Sequence, residues 1–189
     1  MFSRSLAIAA ILFATPVLAE GDGPGPNLVI EISGAAKGTV VIDLNIDGAP
    51  LHVAQIVALA QAGAYDGVVF HRVIDGFMAQ TGDVQYGKAG GDISMAGMGG
   101  SELPNIGAEF STTLTFDRGS VGMARAQDPD SANSQFFIMF APGDFLNGQY
   151  TVLGHVISGM EVVDAIKRGA GDNGEVASPD VMTKVTVTE

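Results

Sequence analysis

The sequence contains no cysteine and no tryptophan, and it has few basic residues. Without cysteine the chain has no disulfide, no thiol nucleophile, no thiolate metal ligand and no site for a lipid on cysteine. Nine Lys and Arg stand against 21 Asp and Glu, which gives a formal net charge of −12. This acidic balance, with no block of basic residues, argues against binding to nucleic acid or to an anionic membrane.

The apolar content is sufficient for one folded domain. Hydrophobic residues make up 47% of the 189 residues, so a core can be buried and extensive disorder is excluded. No internal repeat or linker divides the chain. The predicted organisation is a signal peptide over residues 1–19, a flexible leader over 20–27 and one domain over 28–189.

The first 19 residues have the features of a secretory signal peptide. Arg4 precedes an apolar run from Leu6 to Leu18, and the run ends at Ala19 with small residues suited to a signal peptidase. The run is shorter than the ~20 residues of a membrane-spanning helix, and an uncleaved membrane anchor is the alternative interpretation. We therefore expect an exported protein, periplasmic in a bacterium, with no membrane contact after the signal is removed.

Alternation of apolar and polar residues predicts a mainly β protein. Thr39–Asp47 alternates strictly, as a half-buried strand does, and several nearly continuous apolar runs predict strands covered on both faces. The strand candidates are Leu28–Ser33, Thr39–Asp47, Val68–Ile74, Phe77–Thr81, Thr113–Phe116, Val121–Ala124, Gln135–Phe140, Thr151–Ile157 and Val181–Thr188.

Two segments are predicted to be helical. Pro50–Ala62 has one apolar face, a proline suited to the first turn, and Gly63 as terminator. Gly159–Arg168 has a capping box formed by Ser158 and Glu161. Many strands, two isolated helices and frequent glycine turns indicate a closed antiparallel β-barrel with a helix over each end.

The histidines and the glycine-rich segments form no recognisable catalytic motif. His52, His71 and His155 lie in different elements without the spacing of a zinc site, so no metal is expected. His71, inside an apolar strand, is interpreted as a buried, hydrogen-bonded imidazole, with a catalytic base as the alternative. Gly82–Ala89 has the G-x-x-x-x-G-K core of a phosphate-binding loop but lacks the hydroxyl and the helix that should follow. It is interpreted, like Gly97–Gly100, as a mobile surface loop.

One arginine stands out in an apolar strand. Gly76 allows the chain to turn after Arg72, so that Phe77, Met78 and Gln80 return beside it. Taken alone, Arg72 is equally consistent with an arginine that extends from a barrel rim into solvent.

A second polar and aromatic cluster favours a binding site over an arginine that merely extends from the barrel rim. Gln135 and Phe137 share one face of a strand, and the following loop supplies Phe145, Leu146 and Tyr150. One cation, two glutamines and an apolar aromatic bowl suit the binding of an extended peptide through its backbone and one apolar ring.

These segments resemble the signatures of the cyclophilin family of peptidyl-prolyl cis–trans isomerases. The first signature spans Phe70–Gln80, the second spans Val121–Ala126 with Ser134–Ile138, and the third spans Phe145–Gly148. The resemblance extends in matching order from about Leu28 to Thr188. It implies a closed eight-stranded antiparallel barrel capped by two α-helices. It also implies an enzyme that accelerates rotation about X-Pro bonds in exported proteins, assists their folding and needs no cofactor.

The resemblance implies roles for individual residues by position. Arg72 would be the catalytic arginine, with Gln80 and Phe77 beside it. The residues implied to bind substrate are Met78, Ala124, Arg125, Gln135, Phe137, Phe145, Leu146 and Tyr150.

Three of these positions depart from the family pattern. Phe145 stands where many members have tryptophan, so weak binding of cyclosporin is expected because the indole N–H is missing. Arg125 stands where asparagine is common and Tyr150 where histidine is common, and both substitutions can alter the preference for residues around the proline.

Two other functions stay open from the sequence. One is a non-enzymatic proline-peptide-binding module or chaperone on the same barrel, and the other is a carrier of a small ligand. The combination of Arg72, Gln80 and Phe137 favours the enzyme, because inactive relatives often lack the arginine. The expected partners are proline-containing peptides and unfolded or folding proteins, and the expected state is a monomer.

Overall fold

The computed structural model describes residues 21–189, and the segment predicted as a signal peptide lies outside the described residues. One antiparallel sheet of nine strands forms the body of the domain, and two α-helices pack against it. The prediction of a mainly β fold with two helices is confirmed. The strands are β1 (Asn27–Ser33), β2 (Gly38–Leu44), β3 (Val68–Val69), β4 (Arg72–Ile74), β5 (Met78–Thr81), β6 (Ser120–Met123), β7 (Phe136–Met139), β8 (Val152–Ser158) and β9 (Val181–Thr188).

The order of the strands shows that the sheet curls. In pairing order the strands run β3-β9-β1-β2-β8-β6-β7-β5-β4, so β3 and β4 lie at its two ends. Only Phe70 and His71 separate these two strands along the chain. Because the chain advances at most about 3.6 Å per residue, the two ends of the sheet are within about 10 Å of each other. The predicted strand Val68–Ile74 is thus divided between both ends of the sheet.

The core lies on the face that the period-2 pattern predicts. In β1, Leu28, Ile30 and Ile32 are buried while Glu31 is exposed. This alternation follows from the pleat, which turns successive side chains to opposite faces. β1 and β2 form the predicted hairpin, with a register that runs from Asn27 opposite Asp43 to Ile32 opposite Gly38.

The first helix, α1 (Pro50–Gln61), packs against β9. Its N-terminus has no cap from its own neighbours, since Ala49 carries no side-chain acceptor. Glu109 instead accepts the N–H groups of Leu51 at 3.1 Å and His52 at 3.0 Å. A carboxylate from a distant loop therefore satisfies the free N–H groups that begin the helix.

The second helix, α2 (Met160–Ala165), is shorter than predicted. The predicted capping box of Ser158 and Glu161 is wrong, because the cap residue is Gly159, at φ +85°, and no side chain bonds to the helix start. A Cβ at Gly159 would lie 2.2 Å from the carbonyl oxygen of Thr39, so the close approach of β2 requires glycine. The helix also ends before Arg168.

One predicted strand is absent. The segment Thr113–Phe116 is irregular, although Phe116 is fully buried. Its backbone forms no strand pairing: Phe116 N–H donates to Asn147 Oδ1 at 2.8 Å, and Gly143 N–H donates to the Phe116 carbonyl at 2.7 Å. The remaining strands lie within three residues of their predicted bounds.

Candidate active site

Three adjacent strands place Arg72, Gln80 and Phe137 in one row. β5 lies between β4 and β7, with Gln80 directly opposite Arg72 on one side and Phe137 on the other. Directly opposed residues project from the same face of a sheet. The three side chains, which come from two separate signatures in the sequence, therefore meet on one surface.

Arg72 is held by hydrogen bonds at the edge of this surface. Its Nη1 donates to Gln80 Oε1 at 3.1 Å, and its Nε donates to the carbonyl oxygen of Asn173 at 3.0 Å. Partial burial lowers the pKa of Arg72 from its usual value, and Tyr150 opposes this shift. Because the pKa of an arginine lies far above neutral pH, Arg72 stays charged. The surface therefore carries a fixed cation.

The row borders a pocket of about 270 Å³, here called the proline pocket. Ten of the eleven residues predicted from the sequence line it, and Gln135 lines an adjoining pocket of about 550 Å³, here called the polar pocket. The ten are Arg72, Phe77, Met78, Gln80, Ala124, Arg125, Phe137, Phe145, Leu146 and Tyr150.

Aromatic rings form the floor of the proline pocket. Phe137 is 5% exposed, its ring stacks on Phe116 at a centroid distance of 5.7 Å, and the edge of Tyr150 meets it at 5.9 Å. Gly122 lies opposite Phe137, and a Cβ there would be 2.4 Å from the ring of Phe137 and 2.5 Å from that of Phe116. A glycine at this position is therefore what leaves space for the two rings.

Phe145 forms the exposed rim of the proline pocket. It is 65% exposed, and its ring centroid lies 5.4 Å from that of Phe77. A short 3-10 turn over Asp144–Leu146 presents Phe145 to solvent while Leu146 packs inward. The pocket is therefore apolar at its floor and rim and cationic at one edge.

A chain of amide hydrogen bonds joins Arg72 to a loop beyond the strands. Gln80 Nε2 donates to Gln135 Oε1 at 2.9 Å. Gln135 Nε2 in turn donates to the carbonyl oxygens of Gly97 at 3.0 Å and Gly99 at 2.7 Å. The orientation of both glutamines, and through them of Arg72, depends on where the Gly97–Gly99 backbone lies.

Asp83 holds that backbone, and the sequence analysis did not identify it. The carboxylate is fully buried and accepts four backbone N–H groups: Oδ1 from Gln85 at 3.0 Å and Tyr86 at 2.8 Å, and Oδ2 from Gly97 at 2.7 Å and Gly99 at 2.9 Å. An aspartate in a turn commonly accepts N–H groups that follow it. This preference could have indicated the bonds to Gln85 and Tyr86 from the sequence. It does not indicate the bonds to residues fourteen and sixteen positions away.

Residues 28–187 match the family model of cyclophilin-type peptidyl-prolyl cis-trans isomerases. The chain belongs to this family. A probable peptidyl-prolyl cis-trans isomerase of Brucella suis is 50% identical over 193 residues, which cover 98% of this chain and 96% of that protein. An isomerase of Streptomyces antibioticus is 38% identical over 146 residues, covering 73% of this chain and 82% of that protein. The protein is thus an enzyme that interconverts the cis and trans forms of X-Pro peptide bonds.

Solved structures show the same fold. A cyclophilin-type isomerase of Cryptosporidium parvum, crystallised in the presence of the dipeptide Ala-Pro, matches with a TM-score of 0.74 at 24% identity, covering 86% of this chain and 99% of that one. A cyclophilin of Hirschia baltica matches with a TM-score of 0.70 at 25% identity, covering 87% of this chain and 74% of that one. The curled nine-stranded sheet is accordingly cyclophilin-like.

One loop near the cyclophilin site differs from the sequence interpretation. Gly82–Ala89 is a surface loop only in part: Gln85, Tyr86 and Ala89 are exposed, whereas Gly82, Asp83 and Gly87 are buried. Lys88 anchors the segment by donating from Nζ to the carbonyl oxygens of Ala64 at 2.6 Å and Asp66 at 2.7 Å. The lysine that resembled a phosphate ligand thus bonds to the turn after α1.

His71 is buried, as predicted, but it is not hydrogen-bonded. Only 6% of the residue is exposed, and neither ring nitrogen has a partner among the described residues. The ring lies under Gly97, where a Cβ would be 3.1 Å from Nε2. Burial lowers the pKa of His71, partly offset by the charge of Asp83. This neutral, covered ring gives no support to a catalytic base.

Within residues 21–189, no group of three or more His, Asp or Glu could hold a metal, and no helix has the length and apolar character to cross a membrane.

The lowered pKa of His71 predicts a loss of stability in mild acid. Between its folded pKa and the ordinary value of 6.5, the unfolded chain binds a proton that the folded protein does not. Stability should therefore fall as the pH drops through about 6.5. In urea unfolding at about pH 7.5 and about pH 5.5, wild type should lose more free energy of unfolding than His71→Gln.

The control for this measurement is His155→Gln, which removes an exposed imidazole. It should lose as much free energy of unfolding as wild type over the same pH interval. An equal loss in wild type and His71→Gln would show that the buried ring does not cause the pH dependence.

Proposed function

We propose that Arg72 catalyses isomerisation by donating a hydrogen bond to the prolyl nitrogen in the twisted transition state. Rotation about a peptide bond has a barrier of about 18–20 kcal/mol, because the nitrogen lone pair is delocalised into the carbonyl. When the bond twists, the nitrogen becomes pyramidal and regains that lone pair. A donor aimed at this nitrogen stabilises the twisted form more than either planar form, as catalysis requires.

The observation that carries this proposal is the unused donor of Arg72. A guanidinium has five N–H groups. One Nη1–H is used by Gln80 and the Nε–H by Asn173, and the Nη2 group donates to no residue among those described. A rigid guanidinium fixed at two corners, in a residue that lines the proline pocket, keeps further N–H groups for a ligand there without further loss of side-chain freedom.

We propose that the apolar part of the pocket holds the proline ring while the other side of the bond rotates. Phe137, Met78 and Leu146 are almost completely buried and surround the place where a ring would lie. Gln80 and Gln135 offer polar atoms beside it for the peptide backbone. Neither a covalent intermediate nor a cofactor is required in this scheme.

We propose that the substrates are proline-containing segments of unfolded or folding proteins. The neighbour from Cryptosporidium parvum was crystallised in the presence of Ala-Pro, which supports the same class of ligand for this chain. The protein would act as a monomer. Weak binding of cyclosporin is proposed because Phe145 supplies no N–H at the rim.

We propose that the enzyme acts on exported proteins, in the periplasm of a bacterium. This rests on the charge and apolar pattern of residues 1–19.

We also propose that the sheet closes into the eight-stranded barrel that the sequence predicts. Counting Val68–Ile74 as one bent strand leaves eight strands. Backbone bonds along this segment support closure: Phe70 N–H donates to the Asp180 carbonyl at 3.0 Å, and Val73 N–H donates to the Gly174 carbonyl at 2.7 Å.

Exchange spectroscopy on a short Ala-Pro peptide tests the activity directly. Uncatalysed exchange takes tens to hundreds of seconds, so a catalytic amount of active protein should produce cis–trans exchange peaks within about a second of mixing time. Binding of the peptide without faster exchange would instead support the non-enzymatic proline-peptide module.

A further inference from the structure

The peptide-binding surface of this acidic protein has no carboxylate. The proline pocket and the polar pocket adjoin and share Gln80, Ala124 and Arg125. None of the residues that line either pocket is Asp or Glu, although the chain has 21 of them. The two charged residues on this surface are Arg72 and Arg125, and both are cationic.

Arg125 is fixed in place between the two pockets. Its Nε and Nη2 donate to the carbonyl oxygen of Gln149 at 3.3 and 3.0 Å, and its Nη1 donates to those of Ala126 at 2.8 Å and Gln127 at 3.2 Å. The guanidinium carbon lies 4.5 Å from the centre of the Tyr150 ring. Four of the five N–H groups are thereby used, which leaves one on Nη2.

The charge of Arg125 is not neutralised by the protein. Carbonyl oxygens and an aromatic face carry no net charge, and no Asp or Glu of the described residues forms an ion pair with it. The acidic residues nearest in the chain have other partners: Asp128 Oδ1 accepts the N–H of Asp130, and Asp130 Oδ1 accepts the N–H of Ala108. Arg118, by contrast, is paired with Asp164 at 2.6 Å.

We propose that Arg125 makes this enzyme selective for X-Pro segments with an acidic side chain directly before or after the proline. The inference rests on the proposed function, because it assumes that a peptide occupies both pockets. An extended peptide advances about 3.3–3.6 Å per residue, so a residue next to a proline in the proline pocket reaches Arg125. A carboxylate there gains a charge-assisted hydrogen bond with a donor that is already ordered.

The test compares three peptides that differ only beside the proline, with Glu, Gln or Lys, placed before the proline in one series and after it in another. Catalysed exchange is measured for each, and the result is the ratio of kcat/KM for Glu to that for Gln. Wild type should favour Glu over Gln by about fivefold and disfavour Lys, in at least one of the two series. The preference should shrink in about 0.5 M NaCl, as a charge interaction does.

Three variants separate a charge effect from a structural one. Arg125→Gln should bring the Glu-to-Gln ratio to about one, and Arg125→Lys should keep it above one. Lys37→Gln, which removes an exposed cation that lines neither pocket, should leave the wild-type ratio unchanged.

Two results would overturn this inference and leave the proposed function intact. One is equal rates for Glu, Gln and Lys peptides with wild type in both series. The other is an Arg125→Gln variant that slows all peptides alike and keeps their ratio, since that is the behaviour of a purely structural arginine. If no peptide is isomerised at all, the proposed function itself fails.

Discussion

Replacing Arg72 by alanine should lower kcat/KM for prolyl isomerisation by about a hundredfold or more. The change removes the donor proposed to face the prolyl nitrogen, and loss of one such donor in a transition state typically costs about 10²–10³ in rate. The fold should persist, because Arg72 is half-buried at the edge of the site and not part of the core. The measurement is peptide exchange by NMR, together with thermal unfolding of each variant.

Arg118→Ala is the matched control for this change. It removes a guanidinium of equal size that is paired with Asp164 and does not line the proline pocket, and it should retain wild-type kcat/KM. Gln80→Ala should be milder than Arg72→Ala, since it releases Nη1 but keeps the charge. A folded Arg72→Ala protein with a near wild-type rate would rule out the proposed mechanism.

Asp83→Asn should destabilise the protein by about 3 kcal/mol and lower activity as well. Each carboxylate oxygen accepts two backbone N–H groups, so an amide NH₂ in either orientation would face two donors. A buried donor left without an acceptor costs about 1–3 kcal/mol. The Gly97–Gly99 backbone would then shift, and so would the carbonyl oxygens that accept hydrogen bonds from Gln135 Nε2. Urea unfolding gives the stability, and kcat/KM at a low temperature, where the variant is folded, should fall roughly tenfold.

Asp92→Asn is the control in the same loop. Asp92 is exposed and accepts one local N–H, from Ser94 at 3.0 Å. This variant should match wild type in both stability and rate. If Asp83→Asn were as stable and as active as Asp92→Asn, the four N–H bonds would have no part in positioning the glutamines.

The sequence was a reliable guide to the strands that carry the site. β9 has its predicted bounds, and the strands that carry Gln80 and Phe137 are within one residue of theirs. Because alternation assigns each residue to one face, it also indicated that Gln135 and Phe137 would project together. The ten residues that line the proline pocket were named from the residue pattern together with the family resemblance, and the structure brings them together.

The predictions that are wrong concern segments whose bonds or contacts come from a part of the chain distant in sequence. Phe116 is buried like a strand residue, yet its N–H bonds to the side chain of Asn147. Ser158 and Glu161 match a capping box, but the contact of Gly159 with the backbone of β2 determines where α2 begins. Local patterns do not contain such tertiary contacts, and these override local preference.

Asp83 illustrates the same limit within the site. In the sequence it is one acidic residue among glycines, which is typical of an exposed turn. Its burial depends on the loop that returns Gly97 and Gly99 to it. The spacing of these residues in the sequence does not indicate that the loop returns to Asp83. The side chains that line the pocket could thus be predicted, whereas the residue that organises them could not.

The pairing of the first strand with the last has a consequence for biosynthesis. Asn27 lies opposite Thr188, so β1, the first strand of the sheet to be synthesised, gains its second neighbour only when β9 has been made. Until then β1 has one unpaired edge, and strands with such long-range partners assemble slowly. The sheet of the nascent domain therefore stays incomplete until β9 has been synthesised, and the isomerase site on that sheet can form fully only then.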